Sequence, residues 1–160
     1  ILDRPVSIID PCAGGDSKNG MAYPNAIKNY SGWNVEYMNT VDIREDSLAA
    51  VKADFLEMVP AENLEYDIAI TNPPFALARE IIDHSFRFVR DGGLVIMLLR
   101  LNFFGSQDRK AWWQNNMPVL NYVHSKRCKF TNTSGTDSVE YMHCVWQKGN
   151  PCRSTKLRII

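Results

Sequence analysis

Apolar positions along the chain alternate between two rhythms. Short apolar runs bounded by turn residues give way to stretches spaced like one face of a helix. Val6-Ser7-Ile8-Ile9 reads as a strand that stops at Asp10-Pro11, because proline cannot donate to a ladder. A Gly/Asp/Ser/Asn loop follows from Gly14 to Gly20. Pro24 suits a first helical turn, so the pattern predicts a short helix through Tyr30. Asn34 to Val41 reads as a second strand ending at Asp42, and Asp46 or Ser47 can cap a short helix over Leu48 to Val51. Asp54-Phe55-Leu56 belongs to the next segment, after a brief strand. Tyr66 to Ile70 is a third apolar run, ending at Thr71-Asn72-Pro73-Pro74-Phe75.

The strongest helical pattern comes next. Ala78, Ile81, Ile82, Ser85, Phe86 and Val89 share one face, with Arg79, Glu80, Asp83 and Arg87 on the other. Asp91-Gly92-Gly93 reads as the helix stop. Leu94 to Leu101 has the unbroken apolar character of a strand buried on both faces. A further helix is predicted over Ser106 to Asn115, and last strands over Val119 to His124 and Val139 to Trp146. The segment between those strands, Thr131 to Asp137, has turn chemistry. This alternation predicts an α/β protein with an open, mostly parallel sheet and helices on both faces. The final two strands, joined by a hairpin-like loop, need not run parallel to the rest.

At 160 residues the chain has the length of one domain. Lys plus Arg and Asp plus Glu each number 18, so the net charge is zero. That weighs against a strong, sequence-blind polyanion binder but leaves room for a local basic patch. Cys12, Cys128, Cys144 and Cys152 form no C-x-x-C pair and lack zinc spacing, so they read as buried free thiols, with no metal expected. No signal peptide or long apolar span is visible, which predicts a reduced, cytoplasmic protein. The chain opens almost directly into a strand, as the trimmed core of a longer protein would.

In an open α/β sheet, ligands bind beyond the carboxyl ends of the strands. The predicted strand ends carry Asp10-Pro11-Cys12-Ala13-Gly14-Gly15, then Asp42, Asp54-Phe55 and Asn72-Pro73-Pro74-Phe75. An acidic crevice is a poor phosphate site, and the glycine-rich phosphate patterns are missing. Carboxylates there suit hydroxyls, amines and positive charge. A cofactor with a ribose diol, an adenine amine, an α-ammonium and a sulfonium would use them all. Asp42 could accept the ribose hydroxyls and Asp54 the adenine amine, with Phe55 packing on the ring. Gly14 would let the backbone approach the ligand, and Asp10 would meet the cofactor's amino group or order the loop.

Asn72-Pro73-Pro74-Phe75 is the sharpest signal. Two prolines fix the backbone and leave no N–H to compete for the Pro73 carbonyl. That carbonyl and the Asn72 side-chain oxygen can accept both hydrogens of a planar –NH2 group, which exposes the nitrogen lone pair to an incoming methyl group. Phe75 offers a face on which a flipped base can stack, worth about 1–3 kcal/mol.

With these residues in hand, the chain resembles the S-adenosylmethionine-dependent amino-methyltransferases, in particular small phage-type DNA N6-adenine methyltransferases. Asp10-Pro11-Cys12-Ala13-Gly14 is similar to their cofactor loop, Asp42-Ile43-Arg44 to their ribose-binding strand end and Asp54-Phe55 to their adenine-binding segment. Asn72-Pro73-Pro74-Phe75 is similar to their catalytic motif, and the likeness continues through Leu99 to Phe103, Val139-Glu140-Tyr141 and Val145-Trp146. The resemblance implies a Rossmann-like class I methyltransferase fold, a seven-stranded sheet with one reversed strand near the C-terminus; the chain is expected to be a single catalytic domain over residues 1–160, and no separate target-recognition domain is visible in the sequence, a departure from the family. It implies S-adenosylmethionine as cofactor, S-adenosylhomocysteine as product and a bacterial or phage-infected cytoplasm as setting. Gly14-Gly15-Asp16-Ser17 departs from the commoner alternation of glycine with another residue.

A nucleic-acid substrate needs cationic contacts. Arg100, Lys126, Arg127 and Lys129 form the best local cluster, with Arg153, Lys156 and Arg158 in the tail. Trp112-Trp113 reads as core, with one ring available to touch a substrate or partner. His84, His124 and His143 suggest no triad or metal set. Three alternatives remain: an RNA adenine methyltransferase, since an extruded adenine looks alike from either nucleic acid; a protein glutamine methyltransferase; and a catalytically silent domain that binds the cofactor.

Overall fold

Pro11 ends the first strand as expected: β1 spans Val6–Asp10, and all five of its residues are buried. The computed structural model describes residues 4–30, 32, 34–130 and 136–160. The remaining strands are β2 (Val35–Asp42), β3 (Val51–Lys52), β4 (Tyr66–Thr71), β5 (Val89–Arg100), β6 (Leu120–Val123), β7 (Tyr141–Gln147) and β8 (Lys156–Ile159). They form one sheet in the order β3-β2-β1-β4-β5-β7-β6-β8. Every pairing is parallel except those of β7, which runs antiparallel to both β5 and β6. The mostly parallel sheet with one reversed strand is therefore present, with eight strands rather than seven. The extra one, β8, adds to β6 at the edge.

Among the described residues three helices flank the sheet: α1 (Ala22–Lys28), α2 (Ala78–Ser85) and α3 (Lys110–Asn115). Strand side chains alternate between two faces. On one face Ile9, Ala69, Val95, Met97 and Leu99 pack against Ile81 and Ile82 of α2 and Trp112 and Trp113 of α3. On the other, Val6, Ile8, Ile68 and Ile70 meet Tyr23 and Ile27 of α1. The second cluster is smaller, and Leu94 and Ile96 on β5 stay half-buried there, so β5 is not buried on both faces throughout its length.

Two predicted elements differ. Leu48 to Val51 forms no helix. Its backbone amides find partners elsewhere: Leu48 donates to the Gly14 carbonyl and Ala50 to Thr40 Oγ1, while the Lys52 ammonium binds the Ser47 and Ala49 carbonyls. Asp91-Gly92-Gly93 is no helix stop either. α2 ends at Ser85, whose hydroxyl donates to the Ile81 carbonyl, and β5 already runs through the glycines. The β4–β5 register slips between Tyr66 and Ile68, Gly92 lies at φ +75°, and a Cβ on Gly93 would stand 2.8 Å from the Arg90 carbonyl oxygen. A bulge of this kind carries no periodicity signal, whereas an Asp-Gly-Gly run does suggest a stop.

Cys144 is buried as predicted, but Cys12, Cys128 and Cys152 are only half-buried, and all four are free thiols. Among the described residues, no helix is long and apolar enough to cross a membrane.

Candidate functional site

Strands β1, β2 and β4 run parallel and adjacent, so Asp10, Asp42 and Asn72 emerge at the same edge of the sheet. A cavity of about 400 Å³ opens there. Its wall includes Pro11 and Cys12 from the end of β1, Asp42 and Ile43 from β2, and Asp54 and Phe55 beyond β3. Asn72, Pro73, Pro74 and Phe75 complete it from β4. Four stretches distant in sequence thus share one pocket. Asp10, Ala13 and Gly14 do not line it; Asp10 and Ala13 are buried behind the wall.

Asp10 orders the loop. Its Oδ1 accepts from the Thr71 hydroxyl at 2.6 Å and from the Cys12 amide at 3.3 Å, while Oδ2 is buried without a partner among the described residues. Burial, only partly offset by those two bonds, pushes its carboxyl up to about 7, and the Asp42 charge adds to the rise. Asp67 shows the opposite balance at the far end of β4. Burial pushes its carboxyl up too, but Arg4, the Ser7 amide and Arg90 outweigh burial and hold it well below the ordinary range. Asp67 is satisfied and structural; Asp10 keeps an acceptor in reserve.

Asp42 also ties the loop to the sheet. Oδ2 accepts from the Gly14 amide at 2.8 Å and Oδ1 from the Arg44 amide at 2.9 Å. Gly14 sits at φ +61°, a conformation that favours glycine, yet a Cβ there would meet nothing closer than 3.9 Å. The glycine serves the turn rather than a close approach. Asp54 is exposed and accepts from the Leu56 amide, capping a short 3-10 turn over Phe55–Glu57. The Phe55 ring is 4% exposed and packs edge-on against His84 and tilted against Phe88, so it belongs to the core as well as to the cavity wall.

Asn72 Oδ1 is buried and has no hydrogen-bond partner among the described residues. A buried acceptor left unpaired costs about 1–3 kcal/mol, which a bound donor such as a ligand N–H or a water would relieve. Phe75 is half-buried, with the Arg100 guanidinium carbon 4.4 Å from its ring centroid and the Tyr141 ring at 5.9 Å. Arg100 therefore caps the predicted stacking residue; Lys126, Arg127 and Lys129 are exposed, and Arg127 pairs with Glu140. Of the predicted loop Thr131 to Asp137, residues 131–135 lie outside the described ones; Asp137 accepts from the Tyr141 hydroxyl.

Over 99% of its length the chain matches a Listeria monocytogenes protein assigned as a class I S-adenosylmethionine-dependent methyltransferase, with a TM-score of 0.63 and 16% identity. The fold is that of the class I methyltransferases. A Pyrococcus horikoshii protein assigned as an RNA methyltransferase matches 91% of the chain (TM-score 0.64, 12% identity, 75% of its own length). The M protein of the type I restriction enzyme EcoKI matches 91% as well (TM-score 0.56, 13% identity, 40% of its own length). The chain spans 59% of the Listeria protein. Proteins with the same fold also include O- and N-methyltransferases and two named hemolysins, so the likeness fixes architecture and leaves the substrate open. No family model and no curated protein matches the sequence.

The residues present fit the cofactor that this methyltransferase fold suggests. A volume of about 400 Å³ falls within the ordinary range for nucleotide-sized ligands. Asp10 Oδ2 offers a buried acceptor next in sequence to the lining residues Pro11 and Cys12, and Asp42 and Asp54 stand in the cavity wall. Three residues do more in the site than the sequence reading assigned them. Thr71 clamps Asp10 and the Cys12 amide through one hydroxyl. Arg44 reaches the Gly15 carbonyl at 2.8 Å and pairs with Asp42. Tyr141, 1% exposed, backs Phe75. Thr71 carried a signal as the polar residue that ends an apolar strand beside Asn72, while Arg44 and Tyr141 entered the reading only within the resembling stretches Asp42-Ile43-Arg44 and Val139-Glu140-Tyr141.

Proposed function

We propose that the chain is an S-adenosylmethionine-dependent methyltransferase acting on the N6 amine of adenine in DNA, with the target base flipped against Asn72-Pro73-Pro74-Phe75. The observation that carries this reading is the buried, unpartnered Asn72 Oδ1 in the wall of a cavity shared with Asp42 and Asp54. A restriction-enzyme M protein among its structural neighbours supports the DNA assignment.

Bound in this cavity, S-adenosylmethionine supplies a methyl carbon on a sulfonium, which leaves as the neutral thioether of S-adenosylhomocysteine. Asp42 would accept the ribose hydroxyls and Asp54 the adenine amine. Asp10, already short of one partner, would take the α-ammonium. Asn72 Oδ1 and the Pro73 carbonyl would each accept one hydrogen of the substrate amine and hold its lone pair toward the methyl carbon. The new N–C bond would replace the S–C bond, whose electron pair stays on sulfur, and the methylated amine would release one proton to water. An amide cannot serve as base, so Asn72 works by alignment. Phe75 would stack on the base, with Arg100 shifting off the ring or sharing it.

The test is incubation with labelled methyl donor and unmethylated DNA, beside a matched RNA, followed by digestion and nucleoside identification. N6-methyladenine from the DNA is expected. Label in the RNA alone moves the substrate to RNA. No transfer to either, with cofactor binding retained, leaves a silent binding domain. Asn72→Ala should lower kcat by about 10²–10³-fold while cofactor affinity by calorimetry changes little. Equal loss of both removes the role assigned to Asn72.

A further inference from the structure

A second, larger cavity lies apart from the one just described. Its volume is about 750 Å³, and it is lined from Phe104, at the end of the 3-10 turn Leu101–Phe104, along α3 to Arg153. The chain as a whole is neutral, but this groove is not. Lys110 and Arg153 line it with Gln107 and Gln114, and no carboxylate does among the described residues. Trp113 lines it too. Its ring faces are taken by core neighbours: Phe104 stacks on it at 4.5 Å and Trp112 meets it at 4.8 Å. Its Nε1–H is buried and has no acceptor among the described residues, and the residue is only 7% exposed. Trp112, by contrast, donates its own Nε1–H to Asp83 at 2.9 Å.

A groove rich in donors, holding two cations and a buried N–H in want of an acceptor, suits an anionic ligand with several oxygen acceptors. A lone phosphate would leave most of 750 Å³ empty. Two cations along one groove fit the phosphates of a run of single-stranded nucleotides. Position points the same way. The groove begins at the 3-10 turn that leaves the end of β5 directly after Arg100, the residue over Phe75. A four-residue 3-10 turn covers about 8 Å, so nucleotides beside a base held at Phe75 come within reach.

We propose that this groove holds the single-stranded backbone flanking the target base, with Lys110, Arg153 and the Trp113 N–H contacting phosphate oxygens. The proposal rests on the nucleic-acid reading of the substrate and adds a binding site to it.

The test is fluorescence anisotropy with a fluorescein-labelled single-stranded DNA dodecamer, without methyl donor, across a series of salt concentrations. Lys110→Ala with Arg153→Ala should weaken binding about tenfold or more and reduce the slope of log affinity against log salt by about 1.4, the value for two phosphate contacts on a single strand. Trp113→Phe keeps a ring, removes the donor and should weaken binding about threefold or more. S-adenosylmethionine affinity should stay unchanged in both variants; if the double variant loses it, Trp113→Phe decides. Unchanged dodecamer affinity and salt slope overturn the groove, whatever the methyl-transfer assay gives. Adenosine monophosphate competing as strongly as the dodecamer also overturns it, since the site would then serve free nucleotides. Groove-dependent dodecamer binding with no methyl transfer to DNA or RNA upholds the groove and overturns the proposed reaction instead.

Discussion

Asp10→Asn should stabilise the ligand-free protein at about pH 8 and lose that advantage at about pH 4. Asp10 is 1% exposed, and one of its oxygens has no partner. Burial is the main reason its carboxyl is pushed from 3.8 up to about 7. Between those two values the folded protein holds the proton more tightly than the unfolded chain does. Stability therefore declines as pH rises through that window, and the full penalty is present above it. At about 1.36 kcal/mol per pH unit, the ionised form costs roughly 4 kcal/mol at pH 8. Asparagine keeps the bonds accepted from Thr71 and Cys12 through its own oxygen. It places an amide nitrogen where Oδ2 had nothing, an unsatisfied donor costing about 1–3 kcal/mol. The net gain at pH 8 is thus about 2 kcal/mol, and it fades as the wild-type carboxyl becomes protonated. Urea unfolding of both proteins at about pH 4, 6 and 8 measures this difference directly. A stability difference independent of pH would refute the reasoning. A companion measurement uses the cofactor. If Asp10 meets an ammonium, binding S-adenosylmethionine near pH 7 releases a proton, and the calorimetric heat depends on the buffer's ionisation enthalpy.

Further predictions follow from the same geometry. Asp42→Ala removes a pocket carboxylate and the anchor of the Gly14 amide, and should weaken cofactor binding by about tenfold or more; unchanged affinity by calorimetry takes Asp42 out of the site. Ile82→Ala empties a fully buried position between α2 and the sheet and should cost about 2–5 kcal/mol in urea unfolding; a loss well below that range would mean the site collapses around the gap. His143 sits between the Tyr23 hydroxyl at 2.9 Å and His124 at 2.7 Å, a chain across the α1 face that sequence spacing did not suggest. Burial, reinforced by His124, holds His143 down at about 4, so its imidazole stays neutral at neutral pH. The stability this gives is lost as pH falls from about 6.5 toward 4. An NMR titration of the ring should place its midpoint near 4, and a midpoint near 6.5 would show that the ring is solvated.

Much of the fold was legible because it is written in short-range patterns. Apolar runs ended by Pro11, Asp42 and Asn72 marked the parallel strands and the sheet edge on which their polar ends gather. The misreadings came where long-range partners overrode local preference. Residues 48–50 follow good helix caps, yet Gly14, Thr40 and Lys52 claim their backbone groups. Asp91-Gly92-Gly93 has the chemistry of a helix stop but serves as a bulge in β5. β8 gave no sign because its four residues are exposed at an edge, where no apolar alternation is required.

The site divides in the same way. Residue type and spacing alone named Asp10, Asp42, Asp54 and Asn72-Pro73-Pro74-Phe75, because the chemistry of amines and hydroxyls needs those groups and strand ends are where a sheet presents them. Folding alone decided which of their atoms remain available. Asp42 and Asp54 spend acceptors on the backbone, Asp10 and Asn72 each keep one buried oxygen free, and Arg100 lies over Phe75 instead of reaching into solvent. Hydrogen-bond satisfaction depends on neighbours far away along the chain, such as Thr71 for Asp10, and those neighbours exist only once the strands have paired.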